Sequence, residues 1–238
     1  MEAYELLKAG LSDIFGSCSD ETVEAFRRLT EYMVEYNKKV NLTRITEPMD
    51  VVRLHYLDCA AVFWAVKMEK DASVIDVGTG AGFPGLVMKI LRPDIRLCLL
   101  DSSNKRISYL RSAAELLSLS GIDFVCGRAE EASRKRGYRD AFDFAVSRAV
   151  ASLPKLCELC MPFVRAGGLF VSLKGSEAEA EAISAEKAVR TLGGGNMRVI
   201  PAEIRDSEVN HHLIVIGKLR ATPAQFPRKN ALIQKAPL

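Results

Sequence analysis

The sequence predicts an α/β fold: a sheet of about seven strands, parallel except at its last strand, behind an N-terminal helical extension. Three observations predict it. From Ser73 onward, short apolar runs alternate with helix-length segments, the pattern of βαβ crossovers that build a parallel sheet covered on both faces. The two closing strand candidates have no helix-length segment between them, so they form a hairpin and the final strand runs antiparallel to its neighbours. The first apolar run ends in closely spaced glycines and the second in an aspartate, at the strand ends where such sheets bind ligands.

The first seventy residues read as helical. Ser19 and Asp20 are good N-caps for a segment in which Val23, Phe26, Leu29, Met33 and Tyr36 recur three or four apart, the period of one buried helix face. That helix fades near Asn41. Thr46-Glu47-Pro48 starts another, since proline's missing N–H has no helical partner in a first turn, and it runs to about Lys67. Strands are expected at Val74–Val77, Leu97–Leu100, Ile122–Cys126, Phe142–Val146 and Leu169–Leu173, with Met197–Glu203 and His212–Leu219 as the closing pair. Helices are expected at Gly85–Leu91, Lys105–Ser118, Glu130–Arg136, Leu153–Val164 and Glu177–Leu192, and Gly193-Gly194-Gly195 reads as a turn. This divides the chain into a helical segment over 1–70 packed on the core, a sheet domain over 71–220 and a basic tail over 221–238.

With 238 residues, 48% hydrophobic and 26% charged, the chain can bury one large core. A formal net charge of only +3 gives bulk polyelectrolyte attraction little weight, so the case for a nucleic-acid contact must come from where charges cluster. The start MEAYELLKAG lacks the apolar run of a signal peptide, and no stretch approaches the roughly 18 apolar residues of a membrane span. The six cysteines are scattered, and Cys98, Cys126 and Cys157 fall in apolar patterns that suit reduced thiols. The expected location is the cytoplasm, away from membranes.

The segment Val74-Ile-Asp-Val-Gly-Thr-Gly-Ala-Gly-Phe-Pro-Gly85 carries the chemistry. A buried strand runs straight into glycines, needed where the turn takes positive φ and a ligand approaches the backbone. Gly80-Ala-Gly82-Phe-Pro-Gly85 formally satisfies the dinucleotide fingerprint G-x-G-x-x-G, and Asp101 at the next strand end would hold ribose hydroxyls in either kind of site. Two details favour S-adenosylmethionine over a dinucleotide. Asp76 lies inside the strand, giving D-x-G-x-G-x-G over Asp76, Gly78, Gly80 and Gly82, which resembles the first motif of class I methyltransferases. The closing hairpin also resembles their Rossmann-like sheet. Gly127-Arg-Ala-Glu130 follows the third strand, where Glu130 could meet an adenine edge, and Ser147-Arg148-Ala149 follows the fourth, nearest the transferred methyl.

Missing devices narrow the acceptor. The segment after strand four holds no Asn-Pro-Pro-Tyr clamp for an exocyclic amine, and the chain has no Pro-Cys pair for covalent carbon-5 chemistry. A ring nitrogen with a free lone pair, such as guanine N7, needs neither device and no general base; position and a shielded cleft suffice. Cys157-Glu-Leu-Cys160 is one isolated pair, short of the four ligands of a structural zinc site, and reads as two thiols on one helix. Adjacent His211 and His212 point to opposite faces of a strand, and His55 reads as a packing or capping residue, so no metal is expected.

Beyond the loop, the chain resembles the bacterial small-subunit (16S) rRNA guanine-N7 methyltransferases of the RsmG type, the glucose-inhibited division protein B (GidB) family. The resemblance runs through Tyr36-Asn-Lys-Lys-Val-Asn-Leu-Thr43, His55-Tyr-Leu-Asp58, Asp76–Gly85, Leu100-Asp-Ser-Ser-Asn-Lys-Arg106, Gly127–Glu130, Ser147–Ala149, Leu173-Lys-Gly175, Phe226-Pro-Arg-Lys229 and Lys235–Leu238. It implies transfer of a methyl group from S-adenosylmethionine to N7 of a guanine in 16S rRNA, with free rRNA or the small-subunit particle as partner. It also implies cofactor contacts at Gly78, Phe83, Ala129, Glu130 and Arg148, with Asp101 added by the wider class I pattern. Arg148 and Lys174 are the positioning candidates. A same-fold enzyme acting on another RNA, a small molecule or a protein is the alternative. Five basic residues and no acid between Lys218 and the C-terminus, the knot Arg134-Lys135-Arg136 with Arg139, and Lys38, Lys39 and Arg44 are expected to offer phosphate contacts around the cleft. A monomer is expected.

Overall fold

The structure, a computed structural model, describes residues 2–148, 151–207 and 210–238. Helices α1 (Ala3–Phe15) and α2 (Asp20–Asn37) open the chain. Ser19 caps α2, its hydroxyl accepting from the Thr22 N–H at 3.2 Å, so Asp20 is the first helical residue rather than a cap. A broken helix, α3, follows: Pro48–Val51, a π-helical stretch Val52–Leu57, and short turns Asp58–Ala60 and Val62–Ala65. It stops before the expected Lys67 because Val66 is already extended. Widened turns of the π type gather at functional sites, and this one carries His55.

The sheet has seven strands in the order β3-β2-β1-β4-β5-β7-β6. They are β1 (Ser73–Val77), β2 (Arg96–Asp101), β3 (Ile122–Cys126), β4 (Phe142–Arg148), β5 (Val164–Lys174), β6 (Gly194–Ala202) and β7 (His211–Lys218). Strands β1 to β5 pair in parallel, and β7 lies antiparallel between β5 and β6, as the absence of a helix between the closing strands requires. The crossover helices are α4 (Gly85–Leu91), α5 (Asn104–Leu116), the single turn α6 (Ala129–Ala132), α7 (Leu153–Cys160) and α8 (Ala178–Thr191), and α9 (Asn230–Lys235) ends the chain.

Three boundaries depart from expectation for local reasons. Helix α7 ends at Cys160 and passes into a 3-10 turn at Met161–Phe163, where Pro162 has no N–H to continue the ladder. The helix expected over Glu130–Arg136 is only α6, because the chain beyond it unwinds through turns toward Gly137. Gly194 and Gly195 are strand, not turn; a Cβ on Gly195 would meet the Leu219 side chain at 2.6 Å.

Alternation along the strands sorts the core into two faces. Val74, Leu97, Leu99, Val146 and Val171 join the buried side chains of α1 to α5, so the N-terminal helices share one core with the sheet. Ile75, Cys98, Leu100, Ala145 and Phe170 face α7, α8 and Ile233 of α9 on the other side. Residues at i and i+2 of a strand share a face, which is why consecutive strand residues divide this way.

Candidate active site

Strand β1 delivers its chain into a loop with φ of 73° at Gly78, 59° at Gly80 and 94° at Gly82, a left-handed run that favours glycine. Asp76, fully buried, holds the loop from beneath: its Oδ2 accepts from the Thr79 hydroxyl at 2.7 Å and from the Gly85 N–H at 2.8 Å. Burial pushes the Asp76 carboxyl up to about 6, with both hydrogen bonds opposing the rise. A Cβ on Gly82 would strike Leu86 at 2.5 Å, whereas one on Gly80 would meet nothing nearer than the Gly78 carbonyl at 3.9 Å. Gly80 therefore leaves open space on the cleft side, and Gly82 serves packing.

Asp101 closes β2 opposite this loop. Its Oδ2 accepts from the Gly80 N–H at 3.0 Å and lies 3.5 Å from Arg106, and its Oδ1 accepts from the Ser103 N–H at 2.8 Å. Two neighbouring chambers share Gly78, Asp101 and Ser102 in their walls. The larger, about 770 Å³, runs from Asp101 past Phe83 and Arg148 to Lys174. The smaller, about 250 Å³, reaches Ala129, Glu130 and Leu159 and is walled by Asn230 and Gln234 of the tail. The larger chamber falls within the usual range of ligand clefts, roughly 300–1,000 Å³.

Among the expected site residues, Gly78, Gly80, Phe83, Asp101, Arg148 and Lys174 line the larger chamber, and Ala129 and Glu130 line the smaller. Asp76 and Gly82 line neither: strand alternation turns Asp76 into the core beneath the loop, and Gly82 packs against Leu86 and Leu110. Of the segment after β4, Ala149 and Val150 lie outside the described residues.

Arg148 is engaged inward. Its Nη1 donates to the Leu54 carbonyl at 2.7 Å and reaches Asp58 at 3.2 Å, its Nη2 lies 3.0 Å from His55 Nδ1, and its guanidinium sits 5.1 Å from the Phe83 ring centroid. His55 is therefore more than a packing residue: it stacks on Phe83 at 4.4 Å between centroids and lines the cleft. Burial, with the Arg148 charge beside it, lowers His55 to about 4, so the imidazole is neutral at physiological pH. His211 bonds the other Asp58 oxygen at 2.9 Å. Sequence reading missed His55, Asp58 and His211 as one cluster because they sit on α3 and β7, far apart in the chain. The available signal was the three-residue spacing of His55 and Asp58, which places both on one helix face. Lys174 is likewise spoken for, donating to Glu181 and to the Ala151 carbonyl, each at 2.8 Å.

The basic clusters need correction. Lys218 is buried and donates to the Met161 and Val164 carbonyls, Asp140 and Thr222. Arg228 grips the buried Glu158 carboxylate, and Arg134 and Arg139 donate to tail carbonyls between Thr222 and Pro227. These charges fasten the tail to the body, and none of the four lines the cleft. Lys39, Arg44, Lys135, Arg136, Arg220, Lys229 and Lys235 remain exposed. Among the described residues, no helix is long and apolar enough to cross a membrane, and no cluster of three His, Cys, Asp or Glu could hold a metal.

Sheet order, glycine loop and carboxylate at the end of β2 together define the class: a class I methyltransferase fold. Solved structures of that fold agree: an S-adenosylmethionine-dependent methyltransferase from Aquifex aeolicus matches with TM-score 0.55 at 15% identity, covering 77% of this chain and 97% of that one. A precorrin-6y C5,15-methyltransferase from Geobacter metallireducens matches with TM-score 0.51 at 12% identity, over 68% and 87%. The chain belongs to the GidB family, rRNA small subunit methyltransferase G, whose family profile matches residues 22–210. Relatives named ribosomal RNA small subunit methyltransferase G are 39% identical in Clostridium tetani and 40% identical in Alkaliphilus oremlandii, each over the full 238 residues and the full length of the relative.

Proposed function

We infer that the protein transfers a methyl group from S-adenosylmethionine to small-subunit ribosomal RNA, and we propose guanine N7 as the acceptor. When bound, the cofactor supplies an electrophilic methyl on sulfur. The residues present fit it: Asp101 lines both chambers where two ribose hydroxyls would lie, Gly80 leaves room for a ligand against the backbone, and Ala129 and Glu130 line the smaller chamber, where the adenine would lie. Gly78, Phe83 and Arg148 would flank the methionine half.

The observation that carries the choice of acceptor is the lack of an unengaged base on the β4–β5 side. Among the described lining residues, His55 Nδ1 faces Arg148, Asp58 is shared by Arg148 and His211, Lys174 is paired with Glu181, and no cysteine is present. Guanine N7 carries no proton and attacks with its own lone pair, so positioning is the contribution required of the protein. The reading places the protein in the cytoplasm, acting as a monomer on free rRNA or on the small subunit.

Deleting the gene should remove one N7-methylguanine from the organism's small-subunit rRNA, measured by nucleoside mass spectrometry; an unchanged modification profile would end this reading. Offering free rRNA and intact small subunits side by side to the purified enzyme identifies the substrate form. Asp101→Ala should weaken S-adenosylmethionine binding by about tenfold or more, because contacts to two hydroxyls are lost and the Gly80 and Ser103 N–H groups lose their acceptor. Unchanged affinity by calorimetry would mean that the ribose lies elsewhere.

A further inference from the structure

Thr43 sits in the loop 38–47 that joins α2 to α3, and it lines the larger chamber. Asn37 shapes this loop: its side-chain oxygen accepts from the Leu42 and Thr43 N–H groups at 2.8 and 3.1 Å, and its amide donates to the Thr43 carbonyl at 2.9 Å. The Thr43 hydroxyl oxygen lies 3.1 Å from both the Ile45 N–H and His55 Nε2.

Arg148 decides the direction of every bond in this chain. A guanidinium has only donors. Its Nη2, 3.0 Å from His55 Nδ1, therefore makes Nδ1 an acceptor, and the neutral ring carries its proton on Nε2. The Leu54 carbonyl, also near Nδ1, is satisfied by Arg148 Nη1 at 2.7 Å. Nε2–H then donates to Thr43, whose oxygen already accepts from Ile45. Both acceptor positions of the hydroxyl are filled, so its hydrogen is left to face the chamber.

The location favours the acceptor over the cofactor. Asp101 marks the ribose at the end of β2, whereas the chain Arg148–His55–Thr43 is rooted at the end of β4, and β1 separates the two strands. Leu42, Ile45, Leu54 and Leu173 line the same chamber as Thr43 and offer apolar surface to a flat heterocycle.

We propose that the Thr43 hydroxyl donates to O6 of the target guanine, reading the base beside the nitrogen that is methylated. The proposal rests on the guanine-N7 reading above. N7 and O6 are neighbouring acceptors on one edge of guanine, and adenine presents an amino donor in place of O6. A hydroxyl that can only donate accepts the first and rejects the second. Its neutrality also matters: as the N7–carbon bond forms and the carbon–sulfur bond breaks, no proton leaves and the base becomes positive. A cation at this position would oppose that charge. His55 and Arg148 act here as positioning residues.

The test uses small subunits lacking the modification, and subunits reconstituted with 2-aminopurine, which lacks O6, at the target position. Thr43→Val should lower kcat/KM on guanine by about 10- to 100-fold, the cost of a lost directional hydrogen bond at the reacting base. Thr43→Ser should stay within about threefold of the parent, since it keeps the hydroxyl. Affinity for S-adenosylhomocysteine, by calorimetry, should be unchanged in both. On 2-aminopurine the parent and Thr43→Val should transfer at equal rates, a convergence that a purely structural role for Thr43 would not produce. Equal rates on guanine, an undiminished gap on 2-aminopurine, or a tenfold loss of S-adenosylhomocysteine affinity would each overturn the proposal. A parent enzyme that methylates an atom other than guanine N7 would instead overturn the reading beneath it.

Discussion

Replacing Arg148 by methionine should reduce methyl transfer at least about a hundredfold and destabilise the fold by about 3 kcal/mol, because a half-compensated buried carboxylate is left behind. Methionine matches much of the arginine's length and supplies no donor. Asp58 would keep only His211, the Leu54 carbonyl would lose its partner, and His55 Nδ1 would lose the donor that sets its tautomer. Arg148→Lys should rescue little, since one ammonium cannot span the three acceptors that the planar fork reaches. Urea unfolding and a methyl-transfer assay check both parts. A variant with parental stability and activity would show that the cluster around Asp58 is dispensable.

Glu158→Ala should have the largest effect away from the cleft, destabilising the protein by about 3–5 kcal/mol and releasing the tail. The Glu158 side chain is fully buried and accepts from the Arg228 backbone N–H and guanidinium, at 2.7 Å to the backbone and to Nη2. Without it, Arg228 and its backbone N–H lose their partner, and the strap over Thr222–Pro227 keeps only the bonds of Arg134 and Arg139 and those that Lys218, Asp140 and the Leu192 carbonyl make to Thr222. Hydrogen exchange should quicken across 222–238. Cofactor affinity should fall with it, because Asn230 and Gln234 of the same tail wall the smaller chamber. Exchange that stays slow in the variant would show that the tail is held by other contacts.

These two variants also mark where sequence reading stopped. The strand pattern, the antiparallel closing strand and the glycine loop were legible because each depends on local spacing: alternation of two along a strand, glycine where φ is positive, an acid at a strand end. The tail holds basic residues and no acid, so its sequence suggests an RNA-binding arm. Its partner Glu158 lies 70 positions earlier, inside a helix whose sequence gives no sign that this glutamate is buried beneath the tail. His55 looks like a packing residue in the sequence for the same reason. Its spacing on α3 is visible, but Arg148 comes from the end of β4 and is 93 positions away.

Sequence alone determined the fold class, the strand that carries the loop, and the acid that faces it, since periodicity and backbone conformation are properties of neighbours in the chain. Tertiary structure alone decided which charges are free and which are consumed. A side chain's electrostatic partner is chosen by distances across the sheet, and those exist only once the β4 end, α3 and β7 have been packed together.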